Sequence, residues 1–99
     1  MHYNVNATQT FEEHYESIYR RFCELGFRSS AAELELRTAE LIGTLATFPT
    51  IYPRHMDTHG ASRIAFRYVT IKNYVVFYSV NEAEKSVLLN DIVYAKNIK

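Results

Sequence analysis

The sequence is that of a short and electrically neutral chain. Its 99 residues are the length of one domain, so we treat residues 1–99 as a single folded unit. Eleven Lys and Arg residues balance eleven Asp and Glu residues, and Cys23 is the only cysteine. A lone cysteine excludes an internal disulfide or a cysteine-based zinc site and favours a reducing compartment. With no secretion signal and no apolar run near the ~20 residues needed to cross a bilayer, we expect a cytoplasmic protein without membrane attachment.

The charges are divided unevenly between the two halves of the chain. Residues 1–49 hold four arginines and seven glutamates, a net charge of −3, whereas residues 50–99 hold seven basic and four acidic residues, a net charge of +3. A basic half weakly indicates an anionic partner, although ordinary solvated charge explains the pattern equally well. A neutral total is not typical of a strong non-specific binder of nucleic acid.

The first half of the chain predicts a strand followed by a helix. Residues 3–6 alternate in polarity and are short, as in an edge strand. Thr10 and Glu13 form a capping box, which predicts a helix that starts at Thr10. Its apolar residues recur at steps of four and three, a helical stripe made of Phe11, Tyr15, Ile18, Phe22 and Leu25. Gly26 should end this helix in a left-handed conformation.

A second helix is predicted almost immediately. Ser30 and Glu33 make another capping box, and Pro49 should end the helix. The expected buried side consists of Leu34, Leu41, Ile42, Leu45 and Phe48. Because only a few residues separate the two helices, they should form an antiparallel hairpin whose apolar side needs a surface to cover.

The second half of the chain predicts that surface. Residues 49–60 contain two prolines and a glycine, so we expect an irregular loop. Three strands should follow, over residues 63–71, 74–80 and 87–94. Lys72-Asn73 is a suitable tight turn in which Asn73 could take positive φ, and the apolar middle strand should be central and covered on both faces. The predicted fold class is α+β, with an N-terminal strand and a helical hairpin packed on a mostly antiparallel four-stranded sheet.

Motifs along nearly the whole chain resemble those of the RelE/ParE superfamily of bacterial toxins. The most similar part is FRYVTIKNYVVFYSVNEAEKSVLLNDIVYAKN, residues 66–97, and LATFPTIYP and TFEEHYESIY also match in order and spacing. The resemblance implies a plasmid-stabilising type II toxin that is neutralised by an antitoxin and needs no cofactor. Ribonuclease members cut mRNA in the ribosomal A site, whereas ParE-like members poison DNA gyrase. A member that is inactive on its own is a third alternative.

Metal-independent RNA cleavage would need cations on the phosphate and groups that transfer protons. Arg67 is the first candidate for phosphate contact. It alternates with apolar Phe66 and Tyr68, so we expect it on the open face of the sheet, opposite the helices. The resemblance suggests that Lys96 assists it, and Tyr94 could stack on a base or transfer a proton.

Other residues are candidates for substrate binding. Arg63 should face the same side as Arg67, roughly 13 Å away, with Asp91 as a possible neutralising partner. His55 and His59 in the predicted loop could donate protons, but without a third ligand they do not predict a metal site.

Val75 and Cys23 each carry a separate expectation. Val75 stands where strong ribonuclease members carry an arginine, which keeps the gyrase alternative open. Cys23 adjoins the helical stripe and should be a small core residue.

Overall fold

The computed structural model describes residues 2–55 and 66–97, with the backbone alone at 54, 55 and 97. Its elements are β1 Asn4–Ala7, α1 Gln9–Glu24, α2 Arg28–Thr47, β2 Arg54–His55, β3 Phe66–Ile71, β4 Tyr74–Asn81, β5 Ser86–Tyr94 and a 3₁₀ turn, Ala95–Asn97. In this part of the chain, neither α-helix combines the length and the apolar character needed to cross a membrane.

The strands form one sheet in the order β1-β5-β4-β3-β2, and the helical hairpin covers one of its faces. β1 runs parallel to β5, and the other neighbours are antiparallel. The predicted α+β architecture is confirmed, including the central place of β4. One strand was not predicted, because β2 has only two residues and lies in the segment that reads as a loop.

The core lies between the helices and the sheet. β4 contributes Val76 and Tyr78, both fully buried, and α2 contributes Leu34, Leu41 and Leu45. This arrangement follows the steps of four and three that place residues on one side of a helix.

Four expectations about burial are wrong. Ile42 and Phe48 of the second predicted stripe are 38% and 61% exposed, and Leu25 is 56% exposed. Ile42 lies one residue beyond the buried stripe, and both Leu25 and Phe48 lie just past the end of a helix. Cys23 is exposed rather than in the core, because it follows Phe22 by one residue and therefore turns away from the stripe.

The helix starts differ from the two predicted capping boxes. Thr8, not Thr10, caps α1, since its Oγ1 accepts a hydrogen bond from the Phe11 backbone N–H at 3.1 Å. α2 begins at Arg28 with no side-chain cap. Gly26 has φ +80° and ends the first helix as predicted. The short connection leaves no room for a capping box at Ser30.

The turn between β3 and β4 is attached to the helical hairpin. Lys72, rather than Asn73, takes positive φ. Its Nζ lies 3.2 Å from Glu33 Oε2 on α2 and 5.6 Å from the centre of the Phe22 ring on α1. This hydrogen bond lowers the pKa of Glu33. One lysine therefore connects the sheet to both helices.

The second half of β5 is irregular and only partly covered by another strand. β1 pairs with Ser86–Leu89 alone, and a register shift leaves Asn90 without a register partner on β4, although its side-chain amide donates to Ser79 Oγ at 3.1 Å. Thr8 Oγ1 donates to the Asn90 carbonyl at 2.8 Å, and Asp91 Oδ1 accepts from the Ile92 N–H at 2.8 Å. Side chains therefore take the place of a neighbouring strand here.

Candidate functional site

Arg67 lies on the helix-facing side of the sheet. Its register partner on β4 is Tyr78, and directly paired residues of antiparallel strands project to the same face. Tyr78 is a fully buried member of the core under the helices. The expectation that Arg67 faces the open side is therefore wrong. The alternation was correct, but its apolar neighbours Phe66 and Tyr68 are the residues that face away from the helices.

The Arg67 guanidinium is hydrogen-bonded to the main chain that follows α2. Its Nη1 donates to the carbonyls of Tyr52 and Thr50, at 2.7 and 3.3 Å. Beside it, the Tyr78 hydroxyl donates to the Pro49 carbonyl at 2.8 Å, and burial raises the pKa of Tyr78 to about 12. Together these two side chains hold residues 49–52 against the end of the sheet.

Tyr94 and Lys96 lie at a different end of the sheet. Tyr94 pairs with Tyr74 on β4, and their ring centres are 5.5 Å apart on the helix-facing side. Lys96 follows in the 3₁₀ turn and is exposed. Arg67 pairs with Tyr78 of β4, four residues beyond Tyr74, and four residues of a strand span roughly 13 Å. β3, which carries Arg67, and β5, which carries Tyr94, lie on opposite sides of β4. The structure does not bring Arg67 and Lys96 together.

The remaining candidates form no described cluster. The backbone of His55 pairs with Phe66 in β2, while His59 and Arg63 lie outside the described residues. Asp91 does not pair with Arg67 but with His14 of α1, with Oδ1 2.6 Å from Nδ1. Within residues 2–55 and 66–97, no three His, Cys, Asp or Glu side chains lie close enough to hold a metal ion.

The opposite side of the sheet, here called the open face, is uncovered by helices and largely apolar. Strand alternation and register assign to it the following residues of β3, β4 and β5: Phe66, Tyr68, Thr70, Val75, Phe77, Ser79, Leu88 and Val93. By the same rule Asp91, the register partner of Phe77, adds one carboxylate to this set. Leu88 is 39% exposed and Thr70 is also exposed, whereas Val75 is buried and the others are half-buried. Such a surface can bind another molecule by apolar contact, and the described side chains of β3, β4 and β5 on this face include no cation for a phosphate.

An open face opposite the helices was expected, but its apolar character was not, although the sequence carries a signal for it. In β3 and β4 the residues on both sides of the alternation are apolar or aromatic, as at Val75-Val76-Phe77-Tyr78. A strand of this kind is covered on both faces or exposes one apolar face. Here the helices cover only one.

The whole chain was then compared with known proteins. The family model described as "ParE toxin of type II toxin-antitoxin system, parDE" matches residues 5–97. The chain belongs to this toxin family. It is therefore a type II toxin of the RelE/ParE superfamily. No match was found among curated proteins.

Solved structures of toxin–antitoxin systems have the same fold as this toxin. The chromosomal ParDE system of P. aeruginosa matches with a TM-score of 0.69 at 15% identity, covering 93% of this chain and 95% of that one. The RelE–RelB complex of Pyrococcus horikoshii OT3 matches with 0.64 at 16%, covering 98% and 99%. The RelBE2 complex of Mycobacterium tuberculosis matches with 0.66 at 14%, covering 95% and 92%. At such identities the likeness concerns the fold alone.

Proposed function

We propose that this toxin acts by binding a protein target, DNA gyrase, and not by cleaving RNA. The observation that supports this is the position of Arg67, whose guanidinium is hydrogen-bonded to two main-chain carbonyls of the segment that follows α2. Cleavage of a phosphodiester needs cations aimed at the charge that develops in the transition state. An arginine held by carbonyls, and separated from Lys96, is poorly placed for that task.

The open face is better suited to a protein partner. Its exposed Leu88 lies among aromatic and aliphatic side chains, a composition found at the centres of protein interfaces. Gyrase is proposed as the target because ParE-like members of the superfamily poison that enzyme. Val75, in place of the arginine of strong ribonuclease members, agrees with this choice.

A supercoiling assay with paired variants tests the proposal. Purified toxin should inhibit supercoiling by DNA gyrase, and Leu88→Glu should weaken the inhibition about tenfold or more, because it puts a charge into the apolar interface. Leu36→Glu is the matched control, since Leu36 is a 60% exposed leucine on α2. Absence of inhibition by the folded wild-type toxin would contradict the proposal.

Ribosome-dependent mRNA cleavage is the second candidate. Two of the similar folds belong to RelE complexes, and Lys96 is exposed close to the half-buried Tyr94. In this mechanism Arg67, Lys96 and Tyr94 would act on the phosphate. Arg63, His55 and His59 would contact the substrate.

Mapping the ends of ribosome-bound mRNA after induction separates the two candidates. Cleavage that Lys96→Ala abolishes, and that Lys85→Ala leaves intact, would support the ribonuclease and overturn the gyrase proposal. Both lysines are exposed, so neither substitution should unfold the protein. Expression with no effect on growth would contradict both candidates and support the inactive alternative.

A further inference from the structure

A cavity of about 660 Å³ lies between α1 and the end of the sheet where β4 begins and β5 ends. Small-molecule sites in proteins have volumes of roughly 300–1,000 Å³, so this cavity has room for a metabolite. Arg67 and Lys96, the cations of the ribonuclease candidate, do not line it. We call it the tyrosine cavity and define it by the side chains that matter here: His14, Arg21, Phe22, Asn73, Tyr74 and Tyr94.

The lining of the tyrosine cavity differs in charge from that of other cavities. It includes an arginine and a histidine, and no carboxylate among the described residues. Four other cavities in the described part of the chain each include at least one glutamate. Glu24 lies one turn beyond Arg21, but no ion pair found among the described residues joins the two. Basic groups gathered without a carboxylate favour an anionic ligand.

The two basic side chains lie on one side of α1. His14 and Arg21 are seven residues apart, which is two helical turns or roughly 10 Å along the axis. His14 contacts Asp91 through Nδ1 at 2.6 Å, which orients the ring and leaves its Nε2 for a ligand. Burial and the neighbouring Tyr94 raise the pKa of Tyr74, whereas the Arg21 guanidinium opposes this shift. The guanidinium is therefore near the Tyr74 hydroxyl, at the cavity.

Aromatic rings form another wall of the tyrosine cavity. The centre of the Tyr74 ring lies 5.5 Å from that of Tyr94 and 6.3 Å from that of Phe22. All three side chains are half-buried, so part of each remains accessible. Aromatic side chains of this kind stack on nucleobases of any sequence. Asn73 is exposed in the adjoining turn, and its amide can pair with the edge of a base.

We infer that the tyrosine cavity binds a single nucleotide, with its phosphate at Arg21 and His14 and its base against Tyr74 and Tyr94. The planar fork of arginine matches the oxygens of a phosphate. Inorganic phosphate would leave the rings unused, and an uncharged aromatic compound would leave the basic groups unused. Leu88, on which the test of the gyrase proposal depends, does not line the cavity, so the inference does not rest on that proposal.

Calorimetric titration of the purified toxin with AMP, adenosine and inorganic phosphate tests the inference. AMP should bind about tenfold or more tightly than either of its parts. Arg21→Gln should weaken AMP binding about tenfold and leave adenosine binding unchanged, because it removes a charge-assisted hydrogen bond to the phosphate. Arg20→Gln is the matched control and should change the affinity for AMP less than about twofold. Arg20 is the neighbouring arginine of α1, is paired with Glu16 at 2.6 Å and does not line the cavity.

A second pair of variants isolates the base. Tyr94→Leu should weaken the binding of AMP and of adenosine by the same factor, about fivefold or more, because both lose a stacking partner. Tyr19→Leu makes the same change on α1 at a half-buried tyrosine outside the cavity and should have little effect. Thermal unfolding checks that each variant is folded. Failure of the folded wild-type toxin to bind millimolar AMP, or equal effects within either pair, would overturn the inference.

The same chemistry is offered by a free nucleotide and by the end of a nucleic acid strand. Titration with a 5′-phosphorylated trinucleotide distinguishes these sources. Equal affinity for AMP and the trinucleotide would support the site with a free nucleotide as its ligand. Tighter binding of the trinucleotide, lost in Arg21→Gln, would support it with a strand end. Arg21→Gln should inhibit supercoiling as the wild type does, so the outcome for nucleotide binding is separate from the outcome for gyrase.

Discussion

Arg67 and Tyr78 show how polar side chains can act as structural supports at the end of a sheet. Both donate hydrogen bonds to main-chain carbonyls of residues 49–52, which follow α2 and contain no regular structure to satisfy them. The hydrogen bond to the Pro49 carbonyl is buried, that to Tyr52 is half-buried and that to Thr50 is exposed. A buried carbonyl without a partner is costly, so the bonds to Pro49 and Tyr52 contribute most to stabilising this path of the chain. Arg67, the first candidate for phosphate contact, therefore has a structural role.

Arg67→Ala should destabilise the protein. The variant loses a half-buried hydrogen bond from a charged donor to the Tyr52 carbonyl and a longer, exposed one to the Thr50 carbonyl, which water can replace. The free energy of unfolding should therefore fall by about 1.5 kcal/mol. Tyr78→Phe removes one neutral hydrogen bond and should cost about 1 kcal/mol. Urea unfolding measures both. Wild-type stability in Arg67→Ala would disprove the structural role.

The ion pair between Lys72 and Glu33 should make stability depend on pH. Because the hydrogen bond from Lys72 lowers the pKa of Glu33 below its usual 4.5, the carboxylate stabilises the fold above its unfolded pKa. This stabilisation is lost as the pH falls through the lowered folded value. The difference in unfolding free energy between wild type and Lys72→Met should therefore shrink as the pH falls from neutral to well below 4.5.

Lys85→Met is a suitable control for that experiment. Lys85 also has positive φ, at +52°, so the same backbone strain applies to both substitutions. Its side chain lies on an exposed turn, 3.9 Å from Glu82. If both variants show the same pH dependence, the pair between Lys72 and Glu33 does not produce it.

At the scale of the elements, Thr8 fixes the start of α1 through two hydrogen bonds. The Oγ1 of Thr8 accepts from the Phe11 N–H and donates to the Asn90 carbonyl. The cap therefore also joins the helix to the irregular half of β5. Thr8→Ala should lower the free energy of unfolding by roughly 1–2 kcal/mol.

Thr10→Ala is the comparison that decides which threonine is the cap. Thr10 lies exposed within the first turn of α1, so its substitution should change stability by less than about 0.5 kcal/mol. Chemical denaturation of both variants gives the answer. The opposite order of stability would support the cap predicted from the sequence.

The elements were predictable wherever periodicity extended over many residues. The steps of four and three located both helices, and the apolar run from Tyr74 identified the central strand. The helix starts were not predictable, because two threonines two residues apart both fit a cap and only the contact with Asn90 distinguishes them. β2 was missed because two residues carry no periodicity.

The candidate site was harder to predict than the fold. Strand alternation predicted that Arg67 and its neighbours face opposite sides of the sheet. It could not predict which side the helices cover, because both sides of β3 are largely apolar. The partners of the guanidinium are main-chain carbonyls, which no side-chain motif reveals. The separation of Arg67 from Lys96 follows from the strand order and the pairing register, which the sequence analysis did not predict.

At the scale of the whole molecule, the first and last strands of the sheet, β1 and β5, lie side by side. β1 pairs in parallel with β5, with Val5 opposite Val87, and Val5 packs against the core. Val5→Asp should therefore lower the free energy of unfolding by about 2 kcal/mol or more. Asn6→Asp, on the exposed side of the same strand, should have little effect in the same denaturation experiment. Equal losses would mean that β1 does not contribute to the core.

The pairing of β1 with β5 also has a consequence for the synthesis of the toxin. While the chain is being translated, Val5 has no strand to join until Ser86–Leu89 have left the ribosomal exit tunnel. The sheet therefore cannot be completed during most of elongation, since its closing contact spans about eighty positions. A nascent chain should therefore not reach its complete fold until its last strand emerges.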